Sequence, residues 1–401
     1  MPKILSILVM NDKKNIFFIS ISCDMYGSSK VLLSLVLQIK ENSREYNPIV
    51  CLPPEQGPLR EKLAEAGIEI IEMPVVKLTR SMLKSLNFIK LIKEYLKAKR
   101  IFKAHIKGRS VDIIQSNTLA TLFGAWYCRF RKPKHIMHVH EIMDRPKIAT
   151  WFFKLILKYF CDKVVYNSEA TAAFYNRVSP ALKRKSRTIV NGVDQTEVRI
   201  SEEKKKQIRA RLFGAGENEI VIGLVGRINR LKGHELSLKA FRQLIPAYPN
   251  LKLCFIGSPP PGQEHFLSNL EAKIQQDDLE KQVRIIGFQE EVFSIMESLD
   301  LAVVPSTEPE SFGLVVVEAM MAGKAVIGSD IGGISTIIKD GENGLLFEPN
   351  NEQEYVAAIR KLLDNKELKI RLEEYARVYS RETYSSKAMY TKFKQLYETL
   401  S

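Results

Sequence analysis

The feature that most constrains this chain is an alternation that runs through it twice: short, mainly apolar runs of strand length separated by amphipathic stretches of helix length. In the first half the apolar runs fall at 16–21, 48–52, 68–71, 111–115, 135–140 and 163–166, with the clearest helical stretches at 28–41, 82–104 and 151–160. In the second half the runs recur at 220–225, 251–256, 283–286, 301–304 and 325–328. Strands that are apolar on both sides and separated by helices form parallel sheets covered on two faces. Two such sets predict two Rossmann-like, doubly wound α/β domains. Their joint is expected at Asn191-Gly-Val-Asp194, ahead of the lysine-rich stretch 201–211, giving domains 1–194 and 195–383. The tail 384–401 reads as one more amphipathic helix, expected to pack back on the first domain.

A length of 401 residues suits two domains of ordinary size. No run approaches the ~20 apolar residues of a membrane-spanning helix. The opening Met1-Pro-Lys-Ile-Leu-Ser-Ile-Leu-Val-Met10 has no small-residue cleavage site, so it is expected to lead into the first strand rather than to be a signal peptide. The five cysteines are scattered and never paired as Cys-x-x-Cys, which argues against a zinc ribbon or a disulfide framework and for the reducing cytoplasm.

The net charge of +14 is divided unevenly: residues 1–196 carry +17 and residues 197–401 carry −3. The first half is therefore expected to meet an anionic partner. Eleven lysines and arginines and a single acid, Glu94, fall within 77–109, interleaved with Phe88, Leu91, Ile92 and Leu96. That pattern suits the surface of an anionic membrane, without a spanning helix. The apolar run from Trp151 to Phe160 reads instead as a packed core helix.

In parallel α/β sheets ligands bind beyond the carboxyl ends of the strands. After Val304 comes Pro305-Ser-Thr-Glu-Pro-Glu-Ser-Phe-Gly-Leu-Val-Val-Val-Glu-Ala-Met-Met-Ala-Gly323. Ser311-Phe312-Gly313-Leu314 can open a helix, whose free backbone N–H groups near Gly313 and Leu314 suit a diphosphate. Glu310, just before that helix, can accept hydrogen bonds from sugar hydroxyls, and Glu318 from a ribose diol. The first strand of this half ends in Gly226-Arg-Ile-Asn-Arg-Leu-Lys-Gly233, where Arg227 and Lys232 would place two cations near the same phosphates.

These stretches, with Gly332-Gly333, Asp340-Gly-Glu-Asn-Gly-Leu-Leu346 and Asn191-Gly-Val-Asp194, closely resemble family 4 glycosyltransferases, strongly over 190–350 and more weakly before it. The resemblance implies the GT-B architecture, two Rossmann-like domains facing a cleft. It implies that Arg227 and Lys232 bind the diphosphate of a nucleotide-sugar such as a UDP- or GDP-sugar, that Glu310 contacts the transferred sugar and that Glu318 contacts the ribose. Ile286-Gly-Phe288 resembles the base-binding loop of the family.

In the first half, Gly27 of Asp24-Met-Tyr-Gly-Ser-Ser29 lets backbone approach a phosphate. The family shows two adjacent glycines there, and the second is Ser28 in this chain. His138 and His140 share one strand face. His140-Glu141 resembles the His-Asp of the family, which faces the donor sugar across the cleft, with Glu141 in place of Asp. Asn117 is a further acceptor-side candidate.

No Asp-x-Asp follows a predicted strand and no third ligand accompanies His138 and His140, so no metal and no cofactor are expected. The resemblance implies transfer with retention of configuration. No side chain stands out as a double-displacement nucleophile, so a same-face mechanism in which the leaving phosphate helps to deprotonate the acceptor fits best. A lipid-linked or polysaccharide acceptor in cell-surface glycan synthesis is expected, with the enzyme peripheral on the inner face of the membrane. A sugar-nucleotide epimerase of similar shape is an alternative. So is a non-catalytic binder of anionic lipid or nucleic acid, which leaves Glu310 and Glu318 unexplained; nucleic acid is not expected as a partner. A dinucleotide-dependent oxidoreductase is disfavoured because no Gly-x-Gly-x-x-Gly follows a strand.

Overall fold

The computed structural model describes residues 13–78, 88–194 and 199–400. The expected lead-in at 1–12 and the beginning of the expected helix 82–104 lie outside the described residues. Two compact units are present. The first runs to Asn167 and adds Thr171–Gly192 and Ser386–Ser401; the second comprises Ser168–Ala170 and Val193–Ser385.

The first unit is built on a parallel sheet of seven strands: β1 (Lys14–Ile19), β2 (Tyr46–Leu52), β3 (Glu69–Glu72), β4 (Ile113–Asn117), β5 (Lys134–Val139), β6 (Lys163–Tyr166) and β7 (Ser186–Thr188). Their order is β3-β2-β1-β4-β5-β6-β7. Phe17 and Ile19 enter one core cluster, while Ile16 and Phe18, out of phase with them, are equally buried. Both faces are therefore covered, as the apolar runs require. Leu91 and Phe102 of the helix Phe88–Ile106 and Phe153 and Leu157 of the helix Lys147–Tyr159 share that cluster. The C-terminal helix Ser386–Glu398 lies within this unit, with Phe393 edge-on to His138 and the Tyr397 hydroxyl donating to Gln115 Oε1 at 2.8 Å.

The second unit has six parallel strands: β8 (Ile220–Val225), β9 (Leu251–Ile256), β10 (Val283–Ile286), β11 (Leu301–Val304), β12 (Ala325–Ser329) and β13 (Leu345–Phe347). Their order is β10-β9-β8-β11-β12-β13. Each sheet reverses direction once, between β1 and β4 in the first unit and between β8 and β11 in the second. Ligands of doubly wound folds bind at that switch point.

Some expectations are corrected. β1 and β4 lie two residues earlier and later, respectively, than the runs 16–21 and 111–115, because an apolar run does not mark where the ladder begins. The three-residue strands β7 and β13 were not predicted. The helix Lys147–Tyr159 is not wholly packed: Phe153 and Leu157 are buried, but Trp151 and Ile148 are each 59% exposed. Of the interleaved apolar residues, Leu91 is buried whereas Ile92 and Leu96 face solvent, and the Phe88 side chain lies outside the described residues.

Candidate active site

In the second unit three loops meet beyond the strand ends. The loop after β8 and the loop after β11 are tied by Thr307 N–H donating to Leu231 O at 2.9 Å, and the loop after β12 is tied by Gly333 N–H donating to Glu310 O at 2.7 Å. Two glycines make this approach possible. Gly233 has φ 74°, and a Cβ there would sit 1.9 Å from Pro305 O; at Gly333 a Cβ would sit 2.2 Å from Phe312 O. Any larger residue would push the β11 loop away.

That convergence brings Lys232 and Glu310 together, Nζ to Oε1 at 2.7 Å, with both side chains largely buried. Ser306 Oγ donates to the same oxygen. Burial pushes the Glu310 carboxyl up, but the Lys232 ammonium and the Ser306 hydroxyl more than offset it and hold the group below the usual carboxylate range. Oε1 takes both bonds, and Oε2 is left without one among the described residues.

Gly313, at φ 108°, opens the helix Leu314–Met321; Val316 N–H turns back to Gly313 O at 3.0 Å, and the N–H groups ahead of it, at Leu314 and Val315, have no earlier turn to pair with. Phe312 is buried, Ser311 and Leu314 are partly exposed, and Glu318 is buried one turn further on. Arg227 follows Gly226 at the end of β8 and is partly exposed. Ile286 ends β10 and is buried, while Phe288 is half exposed, its N–H held by Ser258 Oγ at 3.0 Å. All eight of these expected donor-side residues thus sit at strand carboxyl ends or on the helix that follows β11. A groove of about 520 Å³ adjoins them, lined by Arg230, His234, Lys239, Glu308 and Glu352 among others.

In the first unit the expected residues also gather at the switch point. Gly27 is the first residue of the helix Gly27–Asn42, after β1. Asn117, the last residue of β4, donates from Nδ2 to Ser28 O at 3.0 Å and faces His140 Nε2 with Oδ1 at 3.0 Å. Burial holds the His140 ring down to about 3, so it is neutral, and pushes the neighbouring Glu141 carboxyl up to about 7. Glu141 Oε2 accepts from the N–H groups of Leu119 and His140, each at 3.3 Å. Thr118, between these groups, has φ 131°, a backbone strain of the kind that collects at functional sites. The rings of His138 and His140 lie 4.0 Å apart. Among the described residues no group of three His, Cys, Asp or Glu side chains is placed to hold a metal ion.

Sequence reasoning missed Ser306, Gly233 and the Ser28 carbonyl. Ser306 lies next to Glu310 in an already suspect loop and was within reach. The roles of Gly233 and Ser28 depend on backbone positions that only the folded chain reveals.

Comparison with known proteins agrees with this geometry. Residues 204–379 match the family described as glycosyl transferases group 1, and residues 27–197 match Glycosyltransferase Family 4, so the two together take in most of the chain. A D-inositol 3-phosphate glycosyltransferase of Corynebacterium urealyticum is 29% identical over 219 residues, 54% of this chain and 51% of the relative. The chain thus spans about half the length of the curated relatives it matches. Among solved structures, the Anabaena protein Alr3699/HepE in complex with UDP and glucose has a TM-score of 0.82 at 22% identity, covering 96% of this chain and 99% of the other. Sucrose-phosphate synthase of Thermosynechococcus elongatus has a TM-score of 0.78 at 21% identity over 97% and 99%.

Proposed function

We propose, from the premise that this chain belongs to the family 4 glycosyltransferases and shares their GT-B fold, that it moves a sugar from a nucleotide-diphosphate donor to a lipid-linked or glycan acceptor with retention of configuration. Family membership sets aside the epimerase and the non-catalytic binder. The observation that carries the reading is the buried Lys232–Glu310 pair beside the start of the helix Leu314–Met321. Lys232, Arg227 and the N–H groups near Gly313 neutralise the diphosphate as charge develops on it. Glu310, ionised and with Oε2 unengaged, accepts from a sugar hydroxyl, and Glu318 from the ribose. The loop from Ile286 to Phe288 receives the base. No metal is needed, because the cations of this unit already meet the leaving group.

The UDP bound by the Anabaena neighbour makes a UDP-sugar the first donor to test. In the first unit the resemblance assigns Gly27 to a donor phosphate and His140 to the donor sugar; Asn117 and Glu141 are assigned to the acceptor side.

The acceptor reading rests on the outer surface of the first unit. On the helix Phe88–Ile106, Ile89 is 68%, Ile92 51% and Leu96 56% exposed among Lys90, Lys93, Lys97 and Lys103. Trp151 and Ile148 add apolar surface beside Lys147 on a second helix of the same layer. Such a surface suits an anionic leaflet. No helix among the described residues is long and apolar enough to cross a membrane; the lysine-rich, apolar-studded surface itself supports a peripheral enzyme on the cytoplasmic face, where anionic lipid gathers. The relatives named D-inositol 3-phosphate glycosyltransferases favour a second reading, a small phosphorylated acceptor drawn by the same basic half.

Screening UDP-, GDP- and ADP-sugars for thermal stabilisation, then determining the anomer of the product by NMR with the preferred donor, tests the reading. Stabilisation by one nucleotide and a retained anomer are expected. An inverted product overturns retention, and no response to any nucleotide overturns the donor assignment.

A further inference from the structure

The side-chain amide of Asn117 joins two groups that the chain brings together at the switch point of the first sheet. Its Nδ2 lies 3.0 Å from Ser28 O. A peptide carbonyl can only accept, so the atom facing it must be the NH₂ of the amide. Oδ1 is thereby turned to His140 Nε2 at 3.0 Å, and an amide oxygen can likewise only accept. Nε2 therefore carries the proton of the neutral ring, and Nδ1 carries the lone pair. Unlike an isolated Asn–His contact, whose amide orientation is a choice, this one is decided by a backbone atom at the far end.

The surroundings fit a ring held for use rather than for packing. His140 makes its backbone bond to Glu141 Oε2 and its Nε2 bond to Asn117, and its Nδ1 has no hydrogen bond among the described residues. The adjacent His138 is different. Both of its nitrogens are buried with no hydrogen-bond partner among the described residues, and its ring lies edge-on to Phe393, so it fills space. The strained Thr118 directly follows Asn117 and fixes the point at which the chain leaves β4.

We infer that Asn117 is a positioning residue: it relays the Ser28 carbonyl to the His140 ring, locks the Nε2–H tautomer and leaves Nδ1 as an acceptor for a substrate hydroxyl. The tautomer follows from the geometry alone. The hydroxyl as its partner rests on the transferase reading. Ser28, where the family carries a glycine, takes part through its backbone only, so its side chain is not required for the relay.

The test is ¹⁵N NMR of the full-length protein labelled at histidine, recorded between pH 5 and 8 without any substrate. The wild type is expected to show His140, assigned with His140→Gln, as a single neutral Nε2–H tautomer over the whole range. Asn117→Leu removes both bonds and is expected to give a mixture of tautomers. Asn117→Asp still accepts from Nε2–H and is expected to keep the tautomer but to raise the pKa of the ring. With the preferred donor, Asn117→Leu should lower kcat at least tenfold with KM for the donor changed less than about threefold. An Nδ1–H ring or a tautomer mixture in the wild-type spectrum overturns the inference even if a variant fails to fold, as does an unaltered ring in Asn117→Leu. A locked Nε2–H ring in a protein that transfers no sugar would support the relay and count against the transferase reading, so the two can fail separately.

Discussion

Lys232 Nζ lies 2.7 Å from Glu310 Oε1 although 78 positions separate the two residues and each follows a different strand. β8 and β11 are neighbours at the reversal of their sheet, so the fold, not the local sequence, creates the pair. On the proposed function, a diphosphate entering the site would compete with Glu310 for the Lys232 ammonium and free the carboxylate for a sugar hydroxyl.

Glu310→Gln and Lys232→Met are each expected to reduce turnover by about 10²–10³-fold, the usual effect of losing one charged contact to the transition state. Each single change also leaves its partner buried without its counter-charge, so each lowers stability. The double variant should recover part of the loss, with a coupling of roughly 0.5–3 kcal/mol in denaturant unfolding. Strictly additive stabilities would show that the pair is not coupled.

Gly233 and Gly341 both have φ 74°, but an added Cβ meets Pro305 O at 1.9 Å in the first and nothing within 4 Å in the second. Alanine at either position carries the strain of a left-handed backbone, roughly 1–3 kcal/mol. Gly233→Ala is expected to cost at least about 1 kcal/mol more than Gly341→Ala, because it also overpacks the β11 loop, and it should weaken nucleotide binding where Gly341→Ala does not. Equal melting temperatures for the two variants would mean that the loop yields freely.

Burial raises the Glu141 carboxyl to about 7, against an ordinary 4.5. A raised folded-state value means that its contribution is fully present below about pH 4.5 and is lost as pH rises through 7. Glu141→Gln removes this dependence, so the variant should gain stability relative to wild type between about pH 4.5 and 7 and then level off. A shift of that size corresponds to at most about 3 kcal/mol, and the partial exposure of Glu141 brings it to roughly 1–3. Urea unfolding of both proteins from pH 4.5 to 8 measures the difference. A flat difference would show that Glu141 ionises normally.

On the outer layer, each lysine near an anionic leaflet contributes about 1 kcal/mol, screened within a Debye length of roughly 8 Å at physiological salt. Replacing Lys93, Lys97 and Lys103 by glutamate is expected to abolish sedimentation with phosphatidylglycerol vesicles at low salt. Trp151→Ser alone should weaken it in a salt-insensitive way, while nucleotide binding in the other unit stays intact in both variants. A wild-type protein that ignores anionic vesicles at low salt would leave the small phosphorylated acceptor as the reading to pursue.

Most of the strand framework was legible because buried parallel strands are apolar on both sides, and β1, β2, β8, β9, β11 and β12 each carry four or more consecutive apolar residues, glycine included. β7 and β13 are three-residue edge strands, too short to carry a pattern. The helix around Trp151 was misread because its apolar residues outnumber its buried ones: composition could not reveal that Trp151 and Ile148 lie on the open side. Lys232 and Glu310 were legible from their places after strands and from the family motif. The Ser28–Asn117–His140 relay was not, since a backbone carbonyl leaves no mark in the sequence.

Titration calorimetry of UDP and GDP against the wild type and Lys232→Met, with chelator present throughout, tests the central assignment most directly. Binding of at least one nucleoside diphosphate by the wild type without metal is expected, weakened tenfold or more in Lys232→Met. Binding that requires added magnesium or manganese, or that is equally tight in Lys232→Met, would contradict it.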